Sequence, residues 1–294
     1  MATEMLSYIE RKSPVHELTG ATKLILFLMW SFAAMLTYDT RVLLFLFLLS
    51  LVIFYISRIK IREVLFILLF ILAFLLLNNI AIYIFSPGQG VKIYGTSHVL
   101  FSIAGRYNIT WEQLFYQFNI TLKYFTVIPA ALLFIVTTHP SEFAASLNKI
   151  GISYRISFAV ALALRYIPDI QRDFHNIALS QQARGLDMSR KEKLPKRIKN
   201  AATILIPLIL SSLDKIETIS NAMELRGFGK NKKRTWYSAR PFQLKDYATM
   251  AVFLAILVAS LLVTFHDGSR FYNPFLGHAS VGFLIKAWFG VLFQ

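Results

Sequence analysis

Two arginines carry the chemistry that this sequence offers. Arg184 stands in Ala183-Arg184-Gly185 and Arg226 in Leu225-Arg226-Gly227, 42 residues further on. The flanks align too, Ser180-Gln181-Gln182 ahead of the first and Ala222-Met223-Glu224 ahead of the second. A guanidinium is charged at every relevant pH and presents five donors at the end of a long arm. Taken one at a time, Arg in a last turn followed by Gly simply ends a helix, with Gly in the left-handed cap and Arg at the negative dipole end. Taken together, two such tips suit two related acidic or carbonyl-lined grooves on another protein, as on a pseudo-symmetric dimer.

Other chemistry is missing. There is no G-x-x-x-x-G-K-[ST] loop, since Gly227-Phe228-Gly229-Lys230 lacks that spacing and sits in a basic stretch. The six His are scattered at 16, 98, 139, 175, 266 and 278 without metal-ligand spacing. With no Cys, disulfides, zinc–thiolate sites, iron–sulfur clusters and thiol nucleophiles are excluded together. Neither nucleotide hydrolysis nor metal chemistry is expected of this chain.

The elements that must hold the two arginines are amphipathic helices. The spacing predicts one helix over 154–184, with Ala163, Ile167, Ile170, Phe174, Ile177 and Gln181 along one face. A second is predicted over 199–226, with Ala202, Ile206, Ile209, Leu213, Ile216, Ser220 and Met223 along one face. Upstream, Thr138-His139-Pro140-Ser141-Glu142 opens a shorter helix that Gly151 ends; Pro140 suits its first turn and Glu142 its positive dipole end. All three fall in 139–245, 107 residues between two apolar runs.

The rest is membrane. The chain has 294 residues, 56% hydrophobic and 16% charged, against about 25% charged in a typical soluble domain. A soluble enzyme and a disulfide-built secreted domain are thereby excluded. A span needs about 20 mostly apolar residues. Runs at 22–38, 42–57, 63–85, 118–138 and 247–265 qualify, the fourth broken by Lys123 and Pro129. Lys123 is expected to snorkel outward, and Asn78-Asn79 to make an interhelical hydrogen bond. The apolar tail 281–293, with Lys286, reads as interfacial. Residues 1–20 hold Glu4, Glu10 and Glu17 and lack the apolar core of a signal peptide.

Charge sets the orientation. Lys and Arg exceed Asp and Glu by 15. The segment 139–245 holds 19 basic against 8 acidic residues, and 57–63 holds Arg58, Lys60 and Arg62, whereas 86–117 has only Lys92 and Arg106. With the N-terminus inside, every basic loop falls on the cytoplasmic face. The basic surplus is therefore a topology signal rather than a sign of nucleic acid. The expected fold is all-α: a polytopic membrane protein of about five transmembrane helices carrying a cytoplasmic domain of amphipathic coupling helices. Its parts are helices 1–4 in 1–138, the coupling domain in 139–245, and the last span with its tail in 246–294. The segment 86–117, with Pro87, Gly88, Gly90 and Trp111, shows no period from which to assign it.

Four motifs in order, Thr138-His139-Pro140-Ser141-Glu142, Leu162-Ala163-Leu164-Arg165-Tyr166-Ile167-Pro168, Gln182-Ala183-Arg184-Gly185 and Ala222-Met223-Glu224-Leu225-Arg226-Gly227-Phe228-Gly229, resemble the transmembrane (T) component of energy-coupling factor transporters, the family that includes the cobalt-transport permeases. The likeness is close over 137–229 and covers the spans in layout only. It implies a non-catalytic subunit of an ATP-driven importer for a vitamin or a transition-metal ion, in a bacterial or archaeal cell membrane. In such importers the T component joins two ABC-type ATPases, identical or homologous, to one substrate-binding membrane subunit. The resemblance places the two ATPase-docking tripeptides on Ala183-Arg184-Gly185 and Leu225-Arg226-Gly227. Pro140, Glu142, Arg165, Pro168, Gln182 and Glu224 fall in the supporting coupling region. ATP and magnesium would sit on the partners, with no cofactor on this chain. Many relatives have Ala where this chain has Leu225. Two other readings stay open: a membrane scaffold or insertase-like protein without an ATPase partner, and an intramembrane enzyme, for which no paired acids or His–acid cluster stands at a membrane face.

Overall fold

The computed structural model describes residues 11, 13–104, 107–186, 194–230, 235–236, 240–266 and 271–273. In chain order its elements are α1 (Pro14–Glu17), α2 (Gly20–Leu36), α3 (Thr40–Ile56), α4 (Ile61–Phe85), α5 (Gln89–Tyr94), β1 (Val99–Ala104), β2 (Tyr107–Thr110), α6 (Trp111–Thr137), α7 (Pro140–Lys149), α8 (Tyr154–Ala183), α9 (Leu194–Leu225) and α10 (Leu244–Phe265). The chain divides into two compact units, one of 1–139 with 240–294 and one of 140–239.

The first unit is the membrane-embedded one. Helices α4, α6 and α10 are long and apolar enough to cross a bilayer. Helices α2 and α3, at 17 residues each, reach about 25 Å. All five lie where the apolar runs predict them, and the protein is an integral membrane protein of all-α class. The tail 281–293 lies outside the described residues. Packing centres on α2, α3, α6 and α10. Trp30 meets Phe253 at 5.7 Å between centroids, over a core of Ala33, Val42 and Leu46. Helix α4 buries only Val64 and Leu75, and Phe66 and Phe70 stand 63% and 70% exposed. Such a face suits lipid or another membrane protein.

Buried polar groups pin the bundle by its helix ends. Asp246 is buried, and its carboxylate accepts from Thr19 N–H (2.9 Å), Thr22 Oγ1 (2.8 Å) and Gln243 N–H (2.8 Å). One acid thus serves the N-termini of both α2 and α10, where its charge also meets two positive dipole ends. At the opposite end of the same two helices Thr264 Oγ1 pairs with Thr37 Oγ1 at 2.7 Å. Lys23 Nζ donates to the Thr137 carbonyl at the end of α6 (2.7 Å). The Trp30 indole N–H donates to the Thr126 carbonyl (3.0 Å), in the turn that Pro129 interrupts.

Lys123 corrects the sequence reading. It does not snorkel: it is 9% exposed, its ammonium donates to the Met35 carbonyl (2.8 Å) and lies 3.3 Å from the Tyr38 ring centroid. The last turn of α2 and an aromatic face supply what water would have supplied. Asn79 does make an interhelical bond, its amide donating to Thr121 Oγ1 (3.0 Å) on α6.

The segment 86–117 folds around Glu112. This buried carboxylate accepts from Thr96 Oγ1 (2.9 Å) and His98 N–H (3.1 Å), and pairs with His98 Nδ1 (2.6 Å), fixing the β1–β2 hairpin to the start of α6. Gly90 lies so close to α6 that a Cβ would stand 2.3 Å from the Glu112 carbonyl oxygen. Burial pushes the Tyr94 phenol up to about 12, so it stays neutral as it accepts from Asn119 Nδ2 at 3.3 Å.

Candidate functional site: two arginine-tipped helices

The second unit contains α7, α8 and α9. Pro140 occupies the first turn of α7, and Glu142 is buried there. Gly151, at φ +103°, turns the chain, and Ser153 caps α8 by accepting from Ile156 N–H. Helices α8 and α9 run antiparallel, because the exit of α9 lies against the start of α8. Phe228 stacks on Phe158 at 4.6 Å and on Tyr154 at 5.8 Å, and Trp236 joins Tyr154 at 5.3 Å. The Trp236 indole donates to Asn148 Oδ1 at 3.2 Å, which ties this aromatic cluster to α7.

Both tips end in the same way. At the first, Gly185 N–H donates to the Gln182 carbonyl (2.9 Å) and Leu186 N–H to the Gln181 carbonyl (3.1 Å). At the second, Gly227 N–H donates to the Glu224 carbonyl (2.8 Å) and Phe228 N–H to the Met223 carbonyl (2.9 Å). Each is a Schellman cap with Arg at the capping position and Gly in the left-handed region, φ +88° at Gly185 and +68° at Gly227. Gln182 and Glu224 thus support their tips through main-chain carbonyls. Arg184 and Arg226 are both exposed, Ala183 and Leu225 precede them as the last helical residues, and Leu225 is 89% exposed.

A Cβ at Gly185 would meet nothing within 4 Å and at Gly227 only the Lys230 side chain at 3.5 Å, so conformation rather than space demands Gly. Gly185→Ala or Gly227→Ala costs about 1–2 kcal/mol for the left-handed backbone. Hydrogen–deuterium exchange in the last turn is expected to rise roughly 5- to 30-fold, and less with Asn, which tolerates this conformation.

The structure does not bring the two arginines together. Between the tips, Asp173 of α8 pairs with Lys215 of α9, both partly buried. Each arginine stands eleven residues beyond its own member of that pair, about 16 Å of helix, and in opposite directions. Asp173 and Lys215 are themselves 42 residues apart, the offset of the tips. A cleft of about 650 Å³ around them is lined by further equivalents: Asp169 with Ser211, Arg172 with Asp214, Asn176 with Thr218. Meeting of equivalent residues across an antiparallel pair is the mark of a local two-fold axis, and opposite charges occupy two of these four equivalences. Sequence reasoning overlooked Asp173 and Lys215 as a site, although the 42-residue offset itself finds them.

The two apolar seams are largely uncovered. They do not face each other. Ile206, Ile209, Leu213 and Ile216 are 54–61% exposed, and Ile167, Ile170 and Phe174 are 41–48% exposed. The residues of these helices that are buried lie off the seams, among them Ala178, Ile204 and Leu208. Arg165 and Pro168 lie exposed on α8.

A family model described as cobalt transport protein, CbiQ, matches residues 11–237. Among curated proteins, the chain is similar to the energy-coupling factor transporter transmembrane protein EcfT of Lactococcus lactis subsp. cremoris, 28% identical over 264 residues, 87% of this chain and 95% of that protein. It is 30% identical over 159 residues to EcfT of Bacillus selenitireducens, covering 51% of this chain and 59% of the relative. With EcfT of Staphylococcus aureus the identity is 24% over 176 residues, 55% of this chain and 65% of the relative. The chain thus spans less than two thirds of the length of these last two relatives.

Proposed function

From the premise that the chain belongs to the cobalt transport protein (CbiQ) family and is the transmembrane (T) component of an energy-coupling factor transporter, we propose that it couples two ATPases to a substrate-binding membrane subunit. The ATPases are of the ABC type, identical or homologous, and the cargo is a vitamin or a transition-metal ion. ATP and magnesium belong to the ATPases, and this chain catalyses nothing itself. It sits in the cell membrane of a bacterium or archaeon with its N-terminus and the 140–239 unit in the cytoplasm, as the basic loops favour.

The observation that carries this reading is the pair of identical caps, each presenting an exposed arginine from a rigid helix end. ATP binding closes the two motors, and the grooves holding Arg184 and Arg226 approach each other. Packed helices respond by sliding or rotating, since they do not deform continuously. Here the pivot is the Asp173–Lys215 contact, and the exposed Ile206–Ile209–Leu213–Ile216 stripe bears on the substrate-binding subunit. That stripe supports the reading because an apolar face of this length needs an apolar neighbour.

Affinity purification of the tagged chain from its native membrane tests the proposal. Two nucleotide-binding subunits and one further membrane protein are expected per chain, with ATP-dependent uptake after reconstitution. A preparation without any nucleotide-binding subunit overturns it.

The pivot has its own test. Asp173→Lys and Lys215→Asp each remove an ion pair that, half in water, is worth about 0.5–1 kcal/mol. Each single change is expected to cut ATP-driven uptake in proteoliposomes about two- to fivefold, and the double swap to restore it. Equal loss in the double variant removes the pivot role.

A further inference from the structure

We propose that the membrane unit holds an anionic phospholipid, with one acyl chain in a half-open cavity between its helices and its phosphate at Lys245. A cavity of about 550 Å³ lies among α1, α2, α3, α6 and α10. Its body is apolar, walled by Leu26, Phe27, Trp30, Phe134 and Phe253. One end is polar, where Glu17, Lys23, Thr137 and Lys245 line it. That size falls within the roughly 300–1,000 Å³ of small-ligand pockets. Apolar walls of this kind offer water no partners, and an open apolar groove between membrane helices is covered by whatever apolar chain adjoins it. In a bilayer the filler at hand is an acyl chain.

The charge at the polar end selects the headgroup. Lys23 is buried and committed to the Thr137 and His16 carbonyls. Lys245 is different: its side chain is 68% exposed and pairs at 2.7 Å with Glu17, itself 58% exposed. A carboxylate already rests where a lipid phosphate would rest, and Lys245 holds Glu17 below the usual carboxylate range through that hydrogen bond. The polar end also lies at the start of α2 and α10 and the end of α6, the ends that adjoin the basic segments of the chain. A basic pocket between helices on that face is where acidic lipid headgroups bind. Glu17 then acts as an internal competitor for the same ammonium. This site rests on the membrane embedding alone and is independent of the docking role of the arginines.

Trp30 provides the probe, since its ring lines the cavity. The full-length chain with Trp111, Trp236 and Trp288 changed to Phe is placed in phosphatidylcholine nanodiscs. Equal small fractions of acyl-dibrominated phosphatidylglycerol or phosphatidylcholine are then titrated, and Trp30 fluorescence is read. About fivefold stronger quenching per lipid by the phosphatidylglycerol probe is expected. Lys245→Gln is expected to erase the preference and Glu17→Gln to increase it. Ala130→Phe, which fills the cavity from a lining position, is expected to bring quenching down to that of bulk lipid. Equal quenching by the two probes, or a preference indifferent to both Lys245→Gln and Glu17→Gln, overturns the proposal. So does undiminished quenching in a monodisperse Ala130→Phe protein. Should that variant fail to fold, the two exposed substitutions decide alone.

Discussion

Reversing both tips, Arg184→Glu with Arg226→Glu, is expected to strip the ATPases from this chain while leaving it folded in the membrane. Losing one partner of a buried, hydrogen-bonded charge pair at an interface costs about 2–5 kcal/mol, roughly 30- to 5,000-fold in affinity at each tip. Reversal adds repulsion in the same groove. Both arginines are exposed at helix ends whose caps are made by main-chain atoms, so the caps themselves do not depend on the guanidinium groups. Single reversals leave one grip and lose the gain in effective concentration that a second supplies. They are expected to give partial co-purification and little transport. Arg→Lys keeps the charge but not the planar fork, so it falls between wild type and reversal. The readouts are ATPase recovered per chain in a pull-down and uptake after reconstitution. A doubly reversed chain that still brought down working ATPases would end the docking role.

The second large effect is one of stability. Asp246→Ala is expected to destabilise the membrane unit by about 3–5 kcal/mol, because a carboxylate with three partners in a buried place is removed and its donors are left unsatisfied. For a chain of this size that is roughly a 10 °C fall in Tm, read as the temperature at which half the monodisperse peak survives in detergent. Asp246→Asn keeps an acceptor for two of the donors and is expected to lose about half as much. A shift of no more than a degree or two for the alanine variant would show that Asp246 does not hold the two helix starts.

Much of this architecture is legible from residue spacing. The long helix expected over 154–184 is Tyr154–Ala183, and the run at 63–85 is Ile61–Phe85. The first is visible because one helical period runs through it, the second because its apolar run is unbroken. The expected start at 199 of the next helix is too late. It begins at Leu194, since Pro195 is tolerated in a first turn while the basic run that follows has no apolar period to betray a helix. Helix α6 likewise starts at Trp111 rather than 118, because its first turn holds Glu112 and Gln113, which are buried by bonds to Thr96, His98 and Gly90 and are too polar to read as part of a span. The hairpin in that segment escapes because its strands are short and bulged. Lys123 shows the limit of a rule about single residues: whether a lysine snorkels depends on which carbonyls a neighbouring helix happens to end with. The seams of α8 and α9 teach the companion lesson. Periodicity finds a stripe, but not what covers it. As for the site, both arginines and both glycines are visible in the letters, while the Asp173–Lys215 contact becomes visible only when the repeat offset is carried back along the helices.

A rod fastened at one end can swing, and one fastened at both can travel only with whatever it is fastened to. Helices α2 and α10 meet through Thr19, Thr22 and Asp246 at one end and through Thr37 and Thr264 at the other. They therefore tilt as a single slab, and a push delivered to the leading residues of α10 reaches the opposite membrane face without slack.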